Sequence, residues 1–219
     1  MLPLLVVKLL RVLGFTAALA AVPVLRADDV NPGEALARRI DKRHQALGDL
    51  TARFVQTYRS GLMQRQVTES GIVSIKRPGR MRWEYREPEK KLFVADGKTF
   101  YFYVPADHQV IVRKPGGERG IPALLLAGRG SILTEFTVAL EPPPGAGVQR
   151  LKLTPRKQDP EVETVFLEVD GSERVRSIEV LDPQGNQSRF AFEDIRENVG
   201  LRDGLFQFKI PQGVEVVTG

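Results

Sequence analysis

The sequence predicts a mainly β protein with helices (α+β), built on an antiparallel sheet of about ten or eleven strands that curls around two helical segments. Three observations carry this. Short apolar runs alternate with polar residues at period 2 along most of the chain, the pattern of strands with one buried face. Turn signals such as Asp96-Gly97, Pro144-Gly145 and Gly185-Asn186 separate the runs. Only two segments, one near each end of the first two-thirds of the chain, switch to a helical pattern.

The first helix is predicted over residues 32–47. Asn31 is a good N-cap, Pro32 suits the first helical position, and Leu36, Ile40, Leu47 and Leu50 recur at near-helical spacing. From Thr51 the period becomes 2, with Ala52, Phe54, Gln56 and Tyr58 on one side of a strand and Arg53, Val55, Thr57 and Arg59 on the other. Val67, Gly71, Val73 and Ile75 mark the next strand, which stops where Pro78 has no N–H for a ladder. Met81, Trp83 and Tyr85 then alternate with Arg80, Arg82, Glu84 and Arg86. Runs 91–95, 99–104 and 109–113 continue the meander, and Asp96-Gly97 predicts a type I′ hairpin between the first two.

Gly120 to Gly128 breaks the rhythm. It is rich in Leu and Ala, has Pro122 near its start and a closing glycine, and is poor in β-branched residues, which predicts a short apolar helix followed by a turn around 131–135. Further strands are predicted over 136–140, 149–154, 162–169, 175–181, 188–195 and 206–210, with a hairpin turn at Pro183 to Asn186.

At the start of the chain, Lys8 and Arg11 precede an apolar run from Val12 to Leu25, and Leu25-Arg26-Ala27 resembles a small-residue cleavage site. The run is shorter than the roughly 20 apolar residues of a membrane span. Residues 1–27 therefore read as a cleaved secretory signal peptide and 28–219 as a single domain. No Cys occurs, so a lipid-modified cysteine, a disulfide framework and a thiolate metal site are all excluded. Without Lys8, Arg11 and Arg26 the 32 basic residues fall to 29, against 27 acidic ones, so +5 becomes +2. That balance, with the charges interspersed, gives no nucleic-acid footprint.

Catalytic chemistry finds few candidates. His44 and His108 lie among charged or turn residues and are expected to be exposed, no paired-His metal spacing or Gly-x-Ser-x-Gly elbow exists, and Gly116-Gly117-Glu118-Arg119-Gly120 lacks the phosphate-binding pattern. Neither metal nor cofactor is expected, and the chain is not read as an enzyme. The apolar positions are the stronger lead. Met81, Trp83, Phe93, Phe102, Leu124, Leu125 and Leu126 would line a sheet face against helices, either as plain core or as the wall of an apolar cavity.

The string Lys76-Arg77-Pro78 through Trp83, Asp96-Gly97-Lys98, Pro122 to Ala127, Leu153-Thr154-Pro155 and Pro211-Gln212-Gly213-Val214 resembles the periplasmic outer-membrane lipoprotein carrier family, the LolA-like proteins. The resemblance implies an incomplete antiparallel half-barrel with a helical lid over a hydrophobic cavity. It implies a monomeric periplasmic chaperone that takes acylated lipoproteins from an inner-membrane ATP-binding transporter and delivers them to an outer-membrane lipoprotein receptor. It also implies that Arg77 is the lid clamp, hydrogen-bonded to the lid helices, a task suited to a guanidinium with five fixed donors. Two other readings remain: a lipid-binding envelope sensor, and a carrier of other lipid-linked cargo for a different exporter.

Overall fold

The computed structural model describes residues 31–63, 65–113 and 130–218. The predicted signal peptide and the apolar segment with Leu124, Leu125 and Leu126 lie outside the described residues. Helix α1 spans Pro32–Ala46. The strands are β1 Asp49–Arg59, β2 Gln66–Lys76, β3 Arg80–Glu87, β4 Lys91–Ala95, β5 Phe100–Val104, β6 Gln109–Arg113, β7 Phe136–Glu141, β8 Val148–Pro155, β9 Thr164–Asp170, β10 Val175–Leu181, β11 Gln187–Glu197 and β12 Glu215–Thr218. A short helix, Ile132–Glu135, leads into β7.

The twelve strands form one open sheet in the order β12-β6-β5-β4-β3-β2-β1-β11-β10-β9-β8-β7. Every pairing is antiparallel except that of β12 with β6. Because directly paired residues share a face, Leu151, Leu167, Ile178, Phe190, Phe54, Val73 and Trp83 can be followed across the sheet on one side, where they join α1 in a single buried cluster. That side is the inner, concave face.

Helix α1 begins where Asn31 accepts a hydrogen bond from the Gly33 N–H and buries Leu36, Ala37 and Ile40. Its position is fixed by polar contacts at both ends. Asn31 Nδ2 donates to the Val138 carbonyl on β7, while Arg39 and Arg43 pair with Glu173 and Glu197 near the far ends of β9 and β11. In mid-helix, Asp41 accepts from the Ser131 hydroxyl and the Ile132 N–H, so α1 holds the start of the short helix. α1 therefore covers the β7–β11 half of the inner face.

The outer face of the other half is covered by the C-terminal segment. Asp49 accepts from the N–H groups of Val199 and Leu201, Lys76 donates to the Leu201 carbonyl, and Lys76 and Arg80 both pair with Asp203. Phe206 is buried, Phe208 packs against Tyr101 and Tyr103, and Val94 and Val110 are sealed beneath.

Three expectations are corrected here. The strand predicted over 206–210 is absent: Asp203–Phe206 is a 3-10 turn, because Phe206 and Phe208 anchor a segment that crosses the strands from β2 to β5 and has no edge to pair with. The strand near the end is instead Glu215–Thr218, which together with the others makes twelve rather than ten or eleven. The Asp96-Gly97 hairpin forms, but only Gly97 of the two has positive φ; Asp96 instead uses its carboxylate to accept from Lys98 and Thr99 N–H, each at 2.7 Å, so the turn is not type I′.

On the outer face of β8–β11, which no other element covers among the described residues, charges tie the strands together. Glu168 accepts from Ser177 at 2.7 Å and from Arg189 at 2.8 Å, while Arg150 pairs with Glu179 and lies over the Phe166 ring. Burial alone would raise the Glu168 pKa, but the hydrogen bonds from Arg189 and Ser177 and the nearby guanidinium charges outweigh it and hold the pKa below the ordinary value. A depressed folded-state pKa adds stability above the unfolded-state value, and that stability is lost as pH falls through the folded-state value. The destabilisation of Glu168→Gln relative to wild type, measured by urea unfolding, should therefore be largest near pH 7 and shrink toward pH 3. A pH-independent difference would mean that Glu168 acts by shape alone.

Candidate functional site

The concave face carries a continuous run of aromatic rings. Phe54, at the middle of β1, meets Trp83 at 5.0 Å and Tyr85 at 4.8 Å, both edge-on. Trp83 extends the run to Phe190 at 5.5 Å and Phe192 at 6.2 Å on β11. In the other direction Tyr85 meets Phe93 at 5.6 Å, and Phe93 stacks on Phe102 at 4.3 Å with the rings 19° apart. Strand register explains the run, since Trp83 pairs with Phe93 and Phe93 with Phe102.

Burial falls along this run. Phe54 is 1% exposed and Trp83 7%, while Phe93, Phe100 and Phe102 are only half-buried. Met81, two residues before Trp83 on the same face, is also half-buried and packs against the core. The structure thus brings Met81, Trp83, Phe93 and Phe102 together on one surface.

Arg77 follows β2 at the end of this face. Its N–H donates to the Gly48 carbonyl at 2.9 Å, just beyond the C-terminus of α1, so the ladder continues one residue past the strand. Lys76 points outward to Asp203, and Arg77 therefore takes the inward parity of Val73 and Ile75. Its Nη2 is buried without a hydrogen-bond partner among the described residues, and burial lowers its pKa. A guanidinium retains its charge there, with donors to give.

Of the two histidines, His108 is exposed as expected, in a left-handed turn after Pro105–Asp107. His44 is not: it is 7% exposed and lines a small pocket with Leu47, Leu50, Val73 and Phe192. Its charged sequence neighbours Lys42 and Arg43 concealed that it falls four residues after Ile40, on the buried stripe of α1. The sequence reading also left out Phe190 and Phe192 as partners of Trp83, although their spacing around Ala191 carries the period-2 signal.

An open half-barrel whose apolar concave face is partly covered by helix is the class of protein these features define. Residues 45–209 match the family model described as outer membrane lipoprotein carrier protein LolA, and the chain belongs to that family. It is 33% identical over 183 residues to the outer-membrane lipoprotein carrier protein of Chromohalobacter salexigens, spanning 83% of this chain and 86% of that one. The protein of the same name from Pseudomonas aeruginosa is 32% identical over 212 residues, 96% of this chain and 99% of its own. The crystal structure of an uncharacterized conserved protein from Thermus thermophilus aligns with a TM-score of 0.56 at 14% identity over 85% of this chain and 98% of that one, which shows a shared fold.

The geometry places Phe54 at the junction of β1, β3 and β11. Phe54→Ala should cost about 3–5 kcal/mol, the usual loss for a fully buried phenylalanine, read as a lower urea midpoint by Trp83 fluorescence. A loss below about 1 kcal/mol would show that the aromatic run does not join the two halves of the sheet.

Proposed function

We propose that this protein is an exported, periplasmic carrier that binds the acyl chains of lipoproteins released from the inner membrane and hands them to an outer-membrane receptor. The observation that carries the reading is the aromatic surface, fully buried at Phe54 and only half-buried from Phe93 to Phe102. The relatives' name as lipoprotein carriers supports it and supports a non-enzymatic role. Met81, Trp83, Phe93 and Phe102 form the cargo-binding wall in this reading, and Leu124, Leu125 and Leu126 complete it.

Cargo of this kind sets an energetic problem. Each buried methylene contributes about 0.8 kcal/mol, so a site that took acyl chains at no cost would never release them. A closed state held by contacts that cargo must break lowers net affinity to a useful level. Arg77 suits such a clamp: it stands beside the end of α1, inward-facing, with a buried donor available for helix-end carbonyls.

Arg77→Leu removes hydrogen bonds of the closed state. Cargo should be accepted as well as by wild type or better, while transfer to the receptor falls; a change of about 1.4 kcal/mol shifts that equilibrium tenfold. The measurement is transfer from loaded carrier to receptor for wild type, Arg77→Leu and Arg77→Lys. Equal transfer by all three would remove Arg77 from the mechanism.

Export is proposed from the Lys8 to Ala27 pattern. N-terminal sequencing of protein recovered from periplasm should begin close to Asp28. Recovery of intact chain in the membrane fraction would refute cleavage.

A further inference from the structure

The concave face is not apolar throughout. Toward the β1–β2 hairpin, side chains of inward register form a polar rung across β11, β1, β2, β3 and β4. Tyr85 donates its hydroxyl to Gln56 Oε1 at 2.6 Å, and Gln56 Nε2 donates to Ser188 Oγ at 3.0 Å. Lys91 Nζ pairs with Glu69 and stands 5.9 Å from the centre of the Tyr85 ring. Register holds the groups in line, with Gln56 opposite Glu69 and Tyr85 opposite Lys91. Burial, then the Glu69 charge, raises the Tyr85 pKa, so its hydroxyl stays a donor at any working pH.

An ion pair on this face is costly, because both charges lose water there, with side chains 25% exposed at Lys91 and 17% at Glu69. The rung also lies beside the aromatic run: Tyr85 belongs to both, and Lys91 is two residues, about 7 Å, from Phe93 on the same face. An apolar surface bordered along one side by hydrogen-bonding groups matches an amphiphile.

We propose that this rung receives the uncharged polar head of an acylated ligand, the ester and amide carbonyls of an acyl-glyceryl-cysteinyl end, while the chains lie along the aromatic surface. The inference rests on the carrier reading above. The Lys91 ammonium has three donors, and the Ser188 hydroxyl keeps its own proton after accepting from Gln56, so both suit carbonyl oxygens. Glu69 balances the charge of Lys91. An anionic phosphate head therefore meets a neutral pair whose carboxylate repels it, and the rung favours carbonyls over phosphate.

The test compares three ligands on the intact mature chain: a tripalmitoyl-glyceryl-cysteinyl peptide, phosphatidylglycerol, and N-phenylnaphthylamine, an apolar dye with neither ester nor amide. Ser188→Ala and Lys91→Met should each lower the affinity for the peptide relative to the dye by about tenfold, with unfolding midpoints measured to confirm that each variant is folded. Glu69→Gln, which frees Lys91, should strengthen phosphatidylglycerol binding. Peptide-to-dye ratios that stay at the wild-type value in folded variants would overturn the rung while leaving the carrier reading standing. A wild-type chain that binds none of the three would instead overturn the carrier reading and the rung with it.

Discussion

Gly71 is the residue whose missing side chain the sheet is built around. A Cβ at that position would lie 2.0 Å from the Glu84 carbonyl oxygen and 2.9 Å from the Phe54 ring, a collision that no rotamer relieves. Gly71 stands opposite Phe54 on β1 and Tyr85 on β3. Its bare backbone lets the Phe54 ring lie across β2 and reach Trp83 and Tyr85 on the next strand. Edge-on aromatic pairs add about 0.5–1.5 kcal/mol each beyond their burial, and here they tie β3 to β1 and, through Phe190, to β11. The two halves of the sheet meet at this point, so the shape of the concave face follows from it.

A single sheet has two faces to keep from water, and the described residues cover them diagonally. α1 shields the inner face of β7–β11, whereas the C-terminal segment shields the outer face of β2–β6 with Phe206 and Phe208. The two remaining quadrants carry different chemistry. The outer face of β8–β11 is polar and knitted by Arg150, Glu168, Glu179 and Arg189. The inner face of β4 and β5 is aromatic and half-buried, beside the buried Trp83 and Tyr85 of β3. Half-buried aromatic surface is poor for stability alone but well placed for an apolar ligand.

Most of this architecture was legible in the sequence because period 2 is a local signal that burial on one face enforces. β4, β6 and β10 have the predicted bounds, and α1 follows from Asn31, Pro32 and the Leu36 and Ile40 stripe. What failed depended on long-range partners. Phe206 and Phe208 alternate like a strand, yet they are anchors on Tyr101, Tyr103 and the Val94 and Val110 layer, which lie about a hundred residues away in sequence. β12 pairs with β6 through main chain alone, its side chains all exposed, so no apolar pattern announces it. The polar rung was invisible for the same reason: Gln56, Glu69, Tyr85, Lys91 and Ser188 come from five strands, and each reads separately as an ordinary strand residue.

The gradient of burial also decides where a ligand can act. Displacing Phe54 or Trp83 would forfeit packing at the junction of the halves, a loss comparable to the 3–5 kcal/mol of a deleted core aromatic. Phe93, Phe100 and Phe102 already keep part of their surface open, so covering them with methylenes removes water from both partners and breaks little. Fifteen methylenes at about 0.8 kcal/mol correspond to roughly 12 kcal/mol of gross burial, so the proposed carrier reading requires opposing contacts elsewhere for hand-over to be reversible. Rigid aromatic packing at one end and open aromatic surface at the other separate two tasks: the first keeps the wall in shape, and in the proposed carrier reading the second takes the chain, with net affinity set by whatever must open to admit it.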